Sequence, residues 1–225
     1  MKQVKKFALA FLSVLMISQP AARADEQAAE ILNGIRLADI SRELDGRLRK
    51  QDGTIIPFRL RAGGDELIFS FTNPTEVLKL TLNDNGSNLT LQTGDRERTI
   101  SGIRLNDSVR GTDITYQDLA LRFLYWKNSR IEGEQTVRTF SCWMILLQQN
   151  NPNIAYASVR VWVAKQSGAM LRAEAFDAQS RLVKKFEVIS GQKIEGKWFL
   201  KQMRIERYDP ATGNLASRTY LEITS

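Results

Sequence analysis

The chain has 225 residues, of which 43% are hydrophobic and 25% are charged, and lysine and arginine outnumber aspartate and glutamate by 32 to 25. It contains no histidine and one cysteine. The lack of histidine excludes Ser-His-Asp and Cys-His nucleophiles and histidine-based zinc sites, and a single cysteine excludes an intramolecular disulfide.

The first 24 residues have the pattern of a signal peptide. Three lysines precede a short apolar run at residues 7–17, and Ala22-Arg23-Ala24 provides a cleavage site with small residues. The apolar run is shorter than the roughly 20 residues that a membrane-spanning helix needs. We therefore expect residues 1–24 to be cleaved off after Ala24, leaving a periplasmic protein that does not span the membrane.

Removal of this segment changes the charge of the chain. The segment contains four basic residues and no acidic one, so the mature chain keeps 28 basic and 25 acidic residues and a net charge of +3. A nucleic-acid-binding domain usually carries a clustered basic face. Charges this balanced and this evenly spread do not predict binding of nucleic acid.

Most of the chain has the alternating pattern of β-strands. A first helix is predicted at residues 25–38, where apolar residues recur at helical spacing, and turn sequences then follow about every ten residues, as in an antiparallel meander. Residues 137–148 are predicted to form one long strand, covered on both faces at its end. The other predicted strands place on one face the sets Ile56, Phe58 and Leu60; Leu67, Phe69 and Phe71; Leu78, Leu80 and Leu82; Leu89 and Leu91; Ala155, Ala157, Val159, Val161 and Val163; Leu171, Ala173 and Ala175; Phe186 and Val188; Phe199, Met203 and Ile205; Thr219, Leu221 and Ile223.

One amphipathic helix is predicted in the middle of the chain. Thr115 and Asp118 have the spacing of a capping box, and Gln117 falls on the polar face. The apolar stripe of this helix consists of Tyr116, Leu119, Ala120, Phe123 and Leu124.

These elements predict a single domain over residues 25–225. About ten strands form a sheet that is too long to stay flat, so it should curl. The charged face of this sheet must be exposed to solvent, and the two helices are available to cover its apolar face. The expected fold is therefore mainly β, a curved antiparallel sheet that forms an incompletely closed barrel capped by helices.

Residues that could carry chemistry have simpler structural explanations. Glu132 and Glu134 fit a solvated strand edge better than an acid/base pair, and Cys142 fits an inert position on an apolar strand face. Trp162 and Trp198 fall on faces that carry arginines and are expected on the convex surface. We expect no cofactor, no metal site and no enzymatic activity.

Small residues on the predicted apolar face leave two interpretations open. Ala155, Ala157, Ala173 and Ala175 could leave volume unfilled inside the curved sheet. They could equally let a helix approach the sheet closely. The residues alone do not decide between a cavity and a packed core.

Four stretches resemble the LolA-like family of outer-membrane lipoprotein-sorting proteins. They are the run Gly111-Thr112-Asp113-Ile114-Thr115-Tyr116-Gln117-Asp118-Leu119, the strand at residues 161–165, the turn around Asp177, and Tyr208-Asp209-Pro210. The resemblance extends over roughly residues 40–225 and implies the same half-barrel fold. It also implies binding of acyl chains in a cavity. No motif match identifies an arginine that would carry a family function here.

The resemblance suggests a periplasmic carrier of the acyl chains of lipoproteins or lipids, which would exchange its cargo with donor and acceptor proteins of the inner and outer membranes. The alternative is an envelope sensor or regulatory module of the same fold that binds a protein partner. From strand parity, the predicted lining of the binding cavity is Phe69, Phe71, Leu80, Leu119, Phe123, Val159, Val161, Ala173, Ala175, Met203, Ile205, Leu221 and Ile223.

Overall fold

A computed structural model describes residues 20–36, 42–83, 86–149, 155–194 and 197–224. These ranges contain two α-helices, α1 (Pro20–Arg36) and α2 (Tyr116–Leu119), and three short 3₁₀ segments. They also contain thirteen strands: β1 (Arg42–Lys50), β2 (Ile55–Gly63), β3 (Glu66–Thr72), β4 (Thr75–Asn83), β5 (Gly86–Thr93), β6 (Arg96–Ile100), β7 (Asn128–Val137), β8 (Phe140–Gln148), β9 (Ser158–Ala164), β10 (Met170–Phe176), β11 (Leu182–Ile194), β12 (Lys197–Tyr208) and β13 (Leu215–Ile223).

All thirteen strands belong to one antiparallel sheet. Its order is β6-β5-β4-β3-β2-β1-β13-β12-β11-β10-β9-β8-β7, so the first and last strands meet in the middle and β6 and β7 form the two edges. Each other neighbouring pair is consecutive in the chain, which a meander requires. The two edge strands are not paired with each other within the described sheet. The expected fold, a curved antiparallel sheet that does not close into a barrel, is confirmed.

The apolar residues of the strands collect on the concave face. We call this group the interior cluster; its buried members from the sheet include Leu48, Phe58, Phe69, Phe71, Leu78, Leu80, Leu89, Leu91, Ile145, Leu147, Val159, Val161, Val163, Ala173, Ala175, Phe186, Ile205 and Ile223. Successive cross-strand pairs keep the same face because side chains alternate along every strand. The strand parity predicted from the sequence is confirmed for these positions.

Two elements cover the interior cluster. Helix α1 buries Ala28 and Leu32 and lies against β7. The cover segment, residues 101–126, connects the edge strand β6 to the edge strand β7 and buries Leu105, Val109 and Ile114 in the cluster. The chain therefore closes the open mouth of the sheet with the same connection that joins the two edges.

The predicted central amphipathic helix is wrong in its length. Helix α2 is a single turn that ends at Leu119; Leu121 then adopts a left-handed conformation with φ 45°, and a 3₁₀ turn follows at Arg122–Tyr125. Gln117, expected on the solvent face, is buried. The side chains of the predicted apolar stripe are buried or partly buried, as expected. They reach the sheet from two short helical turns with a bend at Leu121 between them, so tertiary packing overrides the local helical periodicity.

Three strand predictions also need correction. Residues 128–148 form the hairpin β7–β8 rather than one strand from residue 137, and its turn contains Arg138 at φ 56° instead of the glycine or asparagine that turns favour. Strand β6 was missed because four of its five residues are exposed and three of these are charged. Ala155 is exposed and Ala157 precedes β9, so the predicted row of small residues loses these two members.

The convex face also carries a small buried apolar cluster, although the alternation of apolar and polar residues along the strands predicted a charged face. Cys142, Trp162 and Ala164 are buried there with Val137, under partly buried Met144 and Leu171. The prediction that Leu171 shares the concave face with Ala173 and Ala175 is therefore wrong, because the register of β10 shifts between Met170 and Arg172. The indole N–H of Trp162 donates a 2.7 Å hydrogen bond to Gln135. The end of β8 is thus covered on both faces, as predicted, and Trp162 lies on the convex side but beneath its neighbours.

The signal peptide prediction falls mostly outside the described residues, which begin at Pro20. Helix α1 continues across the predicted cleavage point after Ala24. Among the helices that the structure describes, none has the length and hydrophobicity required to cross a bilayer.

The junction of the first and last strands is held by charge on the convex face. Glu222 of β13 accepts hydrogen bonds from Arg47 at 2.5 Å, from Arg49 at 2.7 Å and from Gln202 of β12 at 2.8 Å. Burial opposes ionisation of Glu222, but these hydrogen bonds outweigh it and lower the pKa of the carboxyl to about 2. On the concave side, the Phe58 ring lies over Gly46, where a side chain would also meet the Glu222 carbonyl oxygen at 2.9 Å.

We predict that Glu222→Gln destabilises the protein by about 2 kcal/mol at pH 7, since it removes a charged acceptor from two arginines. Because the folded-state pKa lies below the unfolded value, the contribution of Glu222 is complete above pH 4.5 and decreases as the pH falls toward 2. Urea unfolding of parent and variant between pH 7 and 3 measures this. A stability difference that stays constant over that range would contradict the assignment.

Candidate functional site

The interior cluster and its cover form the candidate site. All thirteen residues predicted to line a cavity lie in this cluster or pack against it; Leu119, Met203 and Leu221 are partly buried and the other ten are buried. The structure therefore brings the predicted lining together on one face. Whether these side chains contact a ligand stays a prediction.

The centre of the concave face is a continuous apolar row across five strands. Ile145 pairs with Val161, Val161 with Ala173, Ala173 with Phe186 and Phe186 with Ile205. The ring of Phe123, from the cover segment, lies over Phe186 with its centroid 6.5 Å away. The small side chain of Ala173 thus sits beside the point where an aromatic ring of the cover meets the sheet.

The cover segment is attached to the sheet by three polar contacts, of which the first is an ion pair. Lys184 Nζ of β11 lies 2.6 Å from Asp118 Oδ2 of α2, and these side chains are only 5% and 1% exposed. Two charges removed from water in this way hold each other because separating them would leave each one buried without a partner. The pair fixes α2 above β11.

Asp118 has further partners that fill its hydrogen-bonding capacity. The backbone N–H of Thr115 donates to Oδ2 at 2.8 Å, which completes the predicted capping box. The hydroxyl of Tyr156 donates to Oδ1 at 2.7 Å. Burial of the ring, and then the negative charge of Asp118, raise the pKa of Tyr156 well above its usual value. Tyr156 therefore stays a hydrogen-bond donor at any physiological pH.

The second attachment is formed by Asp113, three residues before α2. Its carboxylate accepts hydrogen bonds from the hydroxyls of Ser217 and Thr219 on β13, the latter at 2.9 Å. The backbone N–H of Asp113 donates to Thr219 Oγ1 at 3.0 Å, and Arg207 Nε of β12 lies 3.3 Å from the carboxylate. Asp113 thus joins the cover segment to two strands on the C-terminal side of the sheet.

The third attachment is formed by Arg110 on the other half of the sheet. This residue adopts φ 56°, which directs its guanidinium to the β3–β4 turn. The guanidinium donates to the carbonyls of Asn73 at 2.6 Å and Pro74 at 3.1 Å, and to the Glu76 carboxylate at 2.8 Å. It also lies over the Phe71 ring, 4.8 Å from its centroid.

Together these contacts define what the site can do. The underside of the cover segment is apolar, whereas its attachments are hydrogen bonds and ion pairs that water can replace when they open. An apolar face under a cover of this kind can enclose an apolar ligand and release it when the cover lifts.

The other candidate residues have structural roles. Glu132 binds Arg160 at 2.7 Å and Glu134 binds Lys165 at 2.5 Å, both on the edge strand β7, so they form exposed cross-strand ion pairs. Burial raises the pKa of the Cys142 thiol, which makes it a poorer nucleophile. The side chain of Trp198 lies outside the described residues.

Sequence reasoning missed the attachments, although two signals were present. The sequence predicts only a capping role for Asp118 and no role for Asp113 beyond the family resemblance, yet both bind strands that are distant in the chain. Lys184 shares its strand parity with Phe186 and Val188, and a lysine on an apolar face indicates a buried partner.

We predict that Asp118→Asn lowers the free energy of unfolding by about 3–5 kcal/mol, because it leaves Lys184 buried without a counter-charge. Lys184→Met should have a similar cost. The double variant removes both charges and should lie within about 1–2 kcal/mol of the parent. Urea unfolding of the four proteins provides the double-mutant cycle.

Lys185→Met is the matched control, since Lys185 is the next residue, faces the convex side and lies 3.8 Å from Glu187. It should change stability by less than about 1 kcal/mol. Additive losses in the double variant would show that Lys184 and Asp118 do not act as a pair.

A family model described as "Uncharacterized protein" matches residues 64–224. No curated protein matches the sequence. The matched range contains the cover segment, all three attachments and eleven of the thirteen described strands, β3 to β13. The comparison therefore rests on the part of the chain that builds the site.

Three solved structures have the same fold. A DUF1329 family protein from Desulfovibrio piger superposes with a TM-score of 0.69 at 20% identity, over 90% of this chain and 92% of that one. An outer-membrane lipoprotein-sorting protein domain from Vibrio parahaemolyticus gives 0.72 at 16% identity, over 89% and 92%. A LolA superfamily protein from Nitrosomonas europaea gives 0.65 at 15% identity, over 90% and 92%. The chain belongs to the family of the matching model, and its fold is that of the LolA-like proteins.

Proposed function

We propose that this protein is a periplasmic carrier that binds the acyl chains of lipids or lipoproteins on the concave face of the sheet, under the cover segment. The observation that carries the proposal is the combination of a continuous apolar concave face with a cover attached through polar side chains. The similarity in fold to a lipoprotein-sorting domain supports it. Donor and acceptor proteins in the two membranes would load and unload the carrier.

Burial of acyl chains supplies enough free energy for such a role. Each methylene group transferred from water contributes about 0.8 kcal/mol, so a long chain contributes on the order of 10 kcal/mol before ordering costs. Lifting the cover exposes residues such as Val109 and Ile114 and breaks the three attachments, which offsets part of this gain. A carrier needs that balance, because cargo bound too tightly could not be released.

Binding of a protein partner, as in an envelope sensor, is the alternative. Its natural docking sites are the free edges of the sheet, where a partner could add a strand. Edge β6 has only five residues, with Arg96, Glu97 and Arg98 exposed, and edge β7 carries Glu132 and Glu134 in ion pairs. A short edge at β6 and charged side chains on both edges disfavour strand addition, so we favour the lipid carrier.

The first experiment is purification from the periplasm followed by lipid extraction and mass spectrometry. We expect lipids with acyl chains to copurify in a stoichiometric amount. A protein that is free of lipid, and that binds no fluorescent fatty acid after purification, would contradict the proposal.

The second experiment tests the interior with Val161→Phe. Val161 is fully buried between Ile145 and Ala173, so a larger ring there takes volume on the face assigned to the acyl chain. We expect affinity for a fluorescent fatty acid to fall about tenfold or more, with a loss of stability of at most about 1–3 kcal/mol.

Arg160→Ala is the control, since Arg160 precedes Val161 on the same strand and binds Glu132 on the convex face. It should leave fatty-acid affinity unchanged and alter stability by less than about 1 kcal/mol. If Val161→Phe folds and binds as the parent does, the acyl chain does not occupy this part of the concave face.

A further inference from the structure

The concave face changes from apolar to cationic at one corner of the sheet. The row Val188–Met203–Leu221–Leu48 is apolar across β11, β12, β13 and β1. The next row along the same strands ends in polar residues, with Ile205 paired to Thr219 and Thr219 to Lys50. The row after that reads Lys184–Arg207–Ser217. We call Lys50, Lys184, Arg207, Ser217 and Thr219 the cationic corner.

A pocket of about 810 Å³ opens at this corner, between the sheet and the cover segment. Four of the five residues of the cationic corner line it from the sheet: Lys50, Lys184, Arg207 and Ser217. The cover segment contributes the polar residues Ser108, Thr112 and Thr115. Val109 and Ile114, which alternate with these polar residues along the cover segment, lie in the interior cluster. The pocket therefore borders the apolar interior directly.

Four cationic residues line this pocket beside two carboxylates. Lys184 is committed to Asp118 and Arg218 to Glu206. In contrast, Arg207 lies 3.3 Å from Asp113 and can turn toward solvent.

The two carboxylates, Asp52 and Asp113, are already engaged: Asp52 accepts the backbone N–H of Thr54 at 2.8 Å, and Asp113 accepts the hydroxyls of β13. Two cations keep access to solvent, since the Arg207 side chain is 54% exposed and that of Lys50 is 33% exposed. Lys50 lies 3.6 Å from Asp52, a long and weak ion pair that an incoming anion can replace.

We propose that the cationic corner binds the anionic head group, of phosphate type, of a lipid whose acyl chain lies on the apolar rows. This inference rests on the proposed function and specifies its ligand. The same strands present an apolar surface and then, two to four residues further along, a cluster of cations and hydroxyls. An amphipath with a negatively charged head matches that order of groups, because its head can take the partly exposed Lys50 and Arg207 from their long contacts with Asp52 and Asp113, which an uncharged head cannot do.

The experiment compares two ligands with the same tail, dodecyl phosphate and dodecyl maltoside, below the concentrations at which they form micelles. Both are titrated against Nile red, an uncharged apolar dye, in parent protein, Lys50→Gln, Arg207→Gln and Arg59→Gln. Arg59→Gln is the control, because Arg59 lies on the convex face beside Asp45, 64% exposed. Inorganic phosphate is titrated separately as a free anion.

We expect the parent to bind dodecyl phosphate more tightly than dodecyl maltoside, with an advantage that shrinks as salt is added. Lys50→Gln and Arg207→Gln should each weaken dodecyl phosphate by about fivefold, the effect of one partly exposed ion pair. Dodecyl maltoside should bind Lys50→Gln as it binds the parent, which shows that the cover and interior are intact in that variant. Arg207→Gln also loses the contact with Asp113, so its readout is the ratio of the two affinities, which should fall. Arg59→Gln should change neither affinity.

Equal affinity of the parent for both amphipaths, or equal weakening of both in the variants, would overturn the head-group site while leaving the acyl carrier in place. Inorganic phosphate that binds as tightly as dodecyl phosphate would also overturn it, since the corner would then be a site for free anions. If neither amphipath displaces the dye from the parent, the proposed acyl-binding function itself fails.

Discussion

The buried ion pair between Lys184 and Asp118 is the contact on which the closed arrangement depends. The cover segment contains one turn of α-helix and several 3₁₀ turns, so its own backbone hydrogen bonds cannot hold it in place. The apolar residues of its underside favour contact with the sheet but do not select a position, because hydrophobic attraction has no direction. The ion pair selects one, since a displacement of either side chain would leave a charge without a partner inside the protein.

The attachments divide between the two halves of the sheet in a way that suits a cover. Asp113 and Asp118 bind β11, β12 and β13, whereas Arg110 binds the β3–β4 turn across the junction of β1 and β13. The cover therefore bridges strands that belong to opposite ends of the chain. The same aspartates stand in the run that resembles LolA-like proteins, so this part of the sequence matters for holding the cover as well as for starting a helix.

The two faces of the sheet use different physical interactions. The convex face is held by cross-strand ion pairs such as Arg172–Glu187–Arg204 and by the arginines around Glu222, which remain at least partly solvated. The concave face has few polar groups apart from its cationic corner. Stability of the sheet thus depends partly on contacts outside the interior, which lets the concave face serve a ligand without carrying the whole fold.

The sequence by itself determined the strand parity, the curved open sheet and the set of residues on its apolar face, because alternation of apolar residues reports directly on which side is covered. It also identified the capping box of Thr115 and Asp118. Only the tertiary structure decided that the central helix stops at Leu119, that Arg138 turns a hairpin, and that Asp118 meets Lys184, 66 residues later. These features depend on contacts between distant segments, and local periodicity carries no information about the partner that a buried charge will find.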